Sequence, residues 1–141
     1  MSLDHSLIGK STESQVFEVT EEAVRRFMEA TGDPALRDGA SIEYAPLTFP
    51  TTFRIRVPGV QLDNTTMQVI HGEQQYHYTR RLKVGEKVTC VARITDMRER
   101  EGKSGPMTFL TTETYGTDSE GRPVFTAHSL GIIRVKGKDG G

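Results

Sequence analysis

The apolar positions of this chain change period partway along it. Residues 16–19 (Val16, Phe17, Glu18, Val19) read as a short strand or extended lead-in. Thr20 then offers a helix N-cap, and Glu21 and Glu22 suit the positive end of a helix dipole. Val24, Phe27, Met28 and Thr31 fall at i, i+3, i+4 and i+7, one helical face, with Arg25 and Arg26 on the other. Gly32 followed by Asp33 and Pro34 ends that helix. Residues 33–45 are polar and loop-like. Pro46 suits the first position of a second, short helix, because the N–H it lacks would be orphaned there anyway. The apolar run 47–53 would carry that helix, and Pro50 limits or kinks it. Asn64 and Thr65 mark another turn.

From about residue 68 the period becomes that of strands. Ile70, Gln74, Tyr76 and Tyr78 are expected on one face, and Glu73, Gln75 and His77 on the other. Val84, Gly85 and Glu86 make a turn. Val88, Cys90, Ala92 and Ile94 then alternate as a small apolar stripe. Gly102, Lys103, Ser104 and Gly105 read as a hairpin connection. Residues 107–115 are rich in threonine and aromatics, which favour strands. Asp118, Ser119, Glu120 and Gly121 turn again, and 124–135 form a long last strand, central in the sheet. The order is helix, short helix, then a meander of about four antiparallel strands, plus the lead-in strand. Such a sheet has one face that needs cover, and the 46–53 segment is apolar enough to supply it. The expected fold is α+β, a curved antiparallel sheet wrapped around a central helix: the hot-dog arrangement.

The chain has 141 residues, the size of one domain, so 1–141 is read as a single unit without repeats. A formal net charge of -1 argues against nucleic acid or an anionic membrane as partner. Nothing approaches the roughly 20 apolar residues needed to span a bilayer. One cysteine, Cys90, excludes an intrachain disulfide, and with no signal-peptide pattern it implies a reducing cytoplasm.

Three stretches carry a resemblance. Phe27-Met28-Glu29-Ala30-Thr31-Gly32-Asp33-Pro34 resembles the hydration motif of MaoC-like (R)-specific enoyl-CoA hydratases, in which a helix ends in Gly-Asp, followed by Asn-Pro and a His. Residues 44–50 resemble the Ala-Pro-Pro-Thr-Phe run that leads into that family's central helix. Residues 69–86, with His71, Gln74, Tyr76, Tyr78, Arg80, Leu82 and Gly85, resemble the strand of the N-terminal, fatty-acid-synthase-type dehydratase halves. The resemblance runs from about residue 19 to 133. It implies reversible hydration of trans-2-enoyl thioesters to (3R)-hydroxyacyl thioesters, carried on CoA or an acyl carrier protein, with no other cofactor. Water adding to C3 needs a base, and C2 needs a proton from an acid; the family's Asp and His do this. By the resemblance Asp33 is the candidate water-activating residue. The backbone N–H groups of Leu47 and Thr48 are candidates for the thioester oxygen, and His71 is a candidate substrate contact. The acyl thioester is the expected ligand, with pairing as a homodimer or as a heterodimer with a second hot-dog chain, which would close an open sheet edge.

The motif is incomplete. Ala35 stands for the Asn and Asp38 for the His, and none of His5, His71, His77 and His128 has the motif spacing. Losing one positioned proton-transfer group lowers a rate by roughly 100- to 10,000-fold. Two readings stay open: a hydratase subunit with an impaired motif, or a non-catalytic partner that binds the acyl chain beside a His-bearing subunit. A hot-dog thioesterase is a third. Asp33 also reads as an ordinary turn residue capping local N–H groups. Arg80, Arg81 and Lys83 read as a solvated turn or as phosphate contacts for CoA. The scattered histidines give no metal site, and Cys90 reads as a packed side chain.

Overall fold

The computed structural model describes residues 5–36, 39, 41–55, 67–103 and 105–135. The expected turn at Asn64 and Thr65, and Asp38 and Ser104, lie outside them. Strand β1 (Gln15–Glu18) leads into helix α1 (Glu21–Thr31), and the chain then continues to four long strands: β2 (Met67–Tyr78), β3 (Lys87–Gly102), β4 (Gly105–Thr117) and β5 (Pro123–Val135). They form one antiparallel sheet in the order β1-β3-β4-β5-β2.

Helix α1 follows its local signals. Thr20 accepts the Ala23 N–H at 3.1 Å. Gly32 ends the helix in the left-handed region at φ 68°, which costs a residue without Cβ nothing. Val24 and Met28 are buried against the sheet. Each such side chain contributes about 1.5–3 kcal/mol by leaving water.

The four-strand meander expected from the sequence is corrected. Only β3, β4 and β5 follow one another in space, and β2 lies at the far edge beside β5. The 79–86 connection is no hairpin. Thr79 N–H stays bonded to Val124 O (2.8 Å), and Ala45 N–H bonds Leu82 O (2.9 Å). Gly85 N–H then reaches Val19 O (2.6 Å), so the connection crosses the end of the sheet to β3.

The second helix is also shorter than expected. Pro46 accepts from Phe49 N–H in a turn, and a single 3-10 turn follows at Phe49–Thr52. Pro50 has no N–H to give, and the Thr51 and Thr52 hydroxyls bond back to Thr48 O (2.8 Å) and Phe49 O (2.9 Å), which competes with an α-helical ladder. The segment nevertheless covers the sheet. Phe49 is 2% exposed, edge-on to Phe27 and Phe53, and Phe53 stacks on Phe17 at 4.6 Å.

The face assignment along β2 changes at a bulge. Register shifts between His71 and Glu73. An extra residue reverses which side each neighbour faces. Gln74, Tyr76 and Tyr78 stay on the inner face, His71 joins them, and Ile70 turns outward. Gly72 sits at the bulge, where a Cβ would lie 3.3 Å from both the Leu130 side chain and its carbonyl. A second buried cluster, Ile94, Met97, Leu110 and Ile133 with Leu7 against it, closes the other end of the inner face. Among the described residues, no helix is long and apolar enough to cross a membrane.

Candidate functional site

Strand register lines up the inner face as rows across β3, β4, β5 and β2. One row is Cys90, Gly116, Phe125 and Tyr78, and the next is Ala92, Thr114, Ala127 and Tyr76. Then come Ile94, Thr112, Ser129 and Gln74, and last Met97, Leu110, Gly131 and His71. Helix α1 and the 3-10 turn cover the first row, and the Leu7 cluster covers the far end of β3 and β4. Between them is a cavity of about 250 Å³. Phe53, Ile55, Phe125 and Ala127 give it apolar walls, and Thr112, Thr114, Ser129, Gln74 and His71 give it a polar band.

His71 Nε2 lies 3.1 Å from Gln74 Oε1. With the amide oxygen accepting, Nε2 is the donor of this pair. Burial pushes the Tyr76 hydroxyl up to about 12, so at neutral pH it is a donor and not a base. Burial also raises Tyr78, whose O–H donates to Leu47 O at 2.5 Å and pins the 46–48 turn to β2.

Of the residues singled out from the sequence, His71 lines the cavity. Asp33 sits just past α1. Its backbone N–H bonds Met28 O, and its carboxylate accepts the Ala35 N–H at 2.9 Å. Leu47 and Thr48 lie in the exposed turn before the 3-10 segment, whereas the cavity wall begins at Pro50 and Thr51. Asp33, Leu47 and Thr48 are therefore not brought together with His71 around this cavity. Thr112, Thr114 and Ser129 were missed from the sequence. Threonine alternates with threonine and glutamate there, so no hydrophobic phase marks the inner face.

Arg80 and Arg81 keep contact with solvent, as a turn would, but both are also engaged within the fold. Arg80 grips Glu86 with two bonds (2.9 and 2.7 Å) and reaches Asp118 at 3.4 Å. Arg81 donates to Ala45 O (3.1 Å) and lies over the Tyr44 ring. Partial burial works to raise Glu86, but the Arg80 guanidinium and the Lys83 N–H outweigh it and hold the carboxyl below its usual range. Asp118 is likewise lowered, first by the Arg122 N–H, then by the Glu120 N–H and Arg80.

A depressed folded-state value means stability that is present above the unfolded pKa of about 4.3 and lost as pH falls through the folded value. Arg80→Ala should therefore cost about 1–2 kcal/mol at pH 7, discounted for screening of the partly exposed guanidinium. The gap between variant and wild type should close below about pH 4, as the wild type loses the same contribution. Thermal melts at both pH values check this; a gap independent of pH would assign the loss to packing instead.

Residues 6–127 match the family described as FAS1-like, dehydratase domain region. A UPF0336 protein of Saccharopolyspora erythraea is 30% identical over 154 aligned residues, which cover 99% of this chain and 96% of that one. Among solved structures, the C-terminally truncated HadBC (3R-hydroxyacyl-ACP dehydratase) complex of Mycobacterium tuberculosis superposes with a TM-score of 0.68 at 20% identity, covering 89% of this chain and 96% of that chain. The MaoC-like dehydratase of Rhodospirillum rubrum gives 0.61 at 13% identity, covering 92% and 94%. At these identities the structural likeness shows the fold. The inner-face cavity thus lies in a hot-dog domain, and the chain belongs to the FAS1-like dehydratase-region family, with UPF0336 proteins as its relatives.

Proposed function

We propose that this chain is a subunit of a hydratase/dehydratase acting on (3R)-hydroxyacyl and trans-2-enoyl thioesters, and that it holds the acyl group while a second hot-dog chain supplies the acid and base. The observation that carries this is the composition of the cavity wall. Among its described lining residues there is no carboxylate, His71 faces an amide, and Tyr76 is held protonated. Hydration places a hydroxyl on C3 and a proton on C2, so it needs a base for water and an acid for carbon. A wall of Phe53, Ile55, Phe125 and Ala127 suits an acyl chain, with His71 as a contact to it. Asp33 accepts the Ala35 N–H through Oδ1 and is not among the cavity's described lining residues, which favours giving water activation to the partner.

Pairing is supported from the sheet edge. Among the described strands β2 pairs with β5 alone, so alternate residues of this 12-residue strand offer outward donors and acceptors beside exposed Val69 and Ile70. The HadBC dehydratase is itself a complex.

The test is hydration of crotonyl-CoA by the purified chain, alone and mixed with a hot-dog chain bearing an intact Asp–His motif. The chain alone should run at least about 100-fold slower than the pair, the share of one positioned proton-transfer group. Full-rate hydration by the chain alone, abolished in Asp33→Asn, would move the chemistry here and overturn the proposal.

A further inference from the structure

The polar band asks for a more specific ligand than an alkyl chain. Thr112, Ser129 and Gln74 stand side by side on three adjacent strands, with Thr114 one row before and His71 one row after. Among the described residues the hydroxyls of Thr112, Thr114 and Ser129 have no hydrogen-bond partner. Some threonines elsewhere are bonded within the fold: Thr95 donates to Thr111 O and Thr117 to Thr89 O, both at 3.4 Å, and Thr12 accepts from Ala92 N–H at 3.0 Å. Phe125 stands one row beyond Thr114, and the His71 row also holds Met97 and Leu110, so apolar side chains flank these polar groups. Valine would fill a threonine position on a strand with the same shape and without the hydroxyl.

An alkyl chain laid over this band would strip water from several hydroxyl and amide groups and return no hydrogen bond. A ligand oxygen at that depth would satisfy them. Hydroxyls and the Gln74 amide both donate and accept, and among the described lining residues there is no carboxylate, lysine or arginine, so the fit is to a neutral oxygen rather than a carboxylate. Since the reading above gives the reacting C2 and C3 to the partner's acid–base groups, this oxygen lies further along the chain. We infer that the acyl group held here carries a hydroxyl or oxo substituent beyond C3, bound by the Thr112–Ser129–Gln74 row. The inference rests on the proposed function and narrows its substrate class to oxygen-bearing acyl chains.

The test is calorimetric binding by the full chain paired with its partner, comparing octanoyl-CoA, 3-hydroxyoctanoyl-CoA, and octanoyl-CoAs hydroxylated at C5, C6 or C7. One of the distal-hydroxy compounds should bind about 10–100-fold more tightly than octanoyl-CoA, the worth of one or two well-made neutral hydrogen bonds in a site that penalises their absence. The double variant Thr112→Val, Ser129→Ala should weaken that compound, tighten octanoyl-CoA, and bring their ratio near one. Thr112→Ser should keep the preference. Equal binding of octanoyl- and all distal-hydroxy thioesters, or a preference untouched by the double variant, overturns the inference and leaves the proposed function standing. A preference for 3-hydroxyoctanoyl-CoA alone would put the reacting end in this cavity and also overturn it. No binding of any acyl-CoA would bring down the proposed function, and this inference with it.

Discussion

Phe49→Ala should lower the thermal midpoint by about 10–15 °C, the consequence of losing about 3–5 kcal/mol from a buried aromatic. The ring is 2% exposed and joins three parts of the fold. It meets Phe27 of α1 edge-on at 5.7 Å and Phe53 at 5.8 Å, and belongs to the cluster that includes Val88, Cys90 and Phe125 of the sheet. Truncation leaves a void where helix and sheet meet. The 3-10 turn cannot slide in to fill it, because Tyr78 O–H holds Leu47 O and the Thr51 and Thr52 hydroxyls fix the turn internally. Phe49→Leu keeps most of the volume and should cost less than about half as much. Scanning calorimetry of both variants checks the ranking. A shift under a few degrees for Phe49→Ala would mean that 49–53 is not part of the core, and the cavity wall built on Pro50 and Phe53 would lose its anchor.

That segment also marks where sequence reasoning succeeds and stops. Helix α1 was legible because its determinants are local: Thr20 caps it, Val24 and Met28 recur at four residues, and Gly32 closes it. The stripe Val88, Cys90, Ala92 and Ile94 was legible because strict alternation over a strand leaves one register that buries it. The hairpin at 102–105 was legible from its glycines, and Gly102 does pair with Gly105. The resemblance along 69–86 located the family, whose match covers residues 6–127.

What failed was non-local. Nothing within 67–78 says that β2 pairs with β5 rather than with the next strand; that choice depends on the crossing held by Leu82 and Gly85. Nor does alternation survive a bulge. One residue at Gly72 moved Ile70 out and His71 in, so His71 reached the cavity for a reason the local pattern did not contain. The hydroxyl band was hidden for the complementary reason: Thr111, Thr112 and Thr114 sit on both faces, and only their partners Leu130, Ser129 and Ala127 tell them apart.

Gly116→Ala carries the second large effect, and it couples the core to the cavity. A Cβ at Gly116 would stand 2.3, 2.7 and 2.9 Å from three carbons of the Phe125 ring, far inside van der Waals contact. The ring must move, yet it is buried and bounded by Phe53, Tyr76 and Tyr78 at centroid distances of 6.5, 6.4 and 5.8 Å. Its remaining freedom is toward the cavity it lines. Overpacking of this kind costs about 2–3 kcal/mol, so the urea midpoint should fall at an unchanged slope. Any acyl thioester bound in the cavity should weaken in parallel, because the displaced ring takes its space. Phe125→Leu supplies the control: it shortens the side chain that the new methyl strikes, and in the double variant the two losses should sum to about 1–2 kcal/mol less than the single variants predict. Strict additivity would show that the methyl does its damage elsewhere, most directly at the register shift between Gly116 and Thr117, and would remove the link between this core contact and the site.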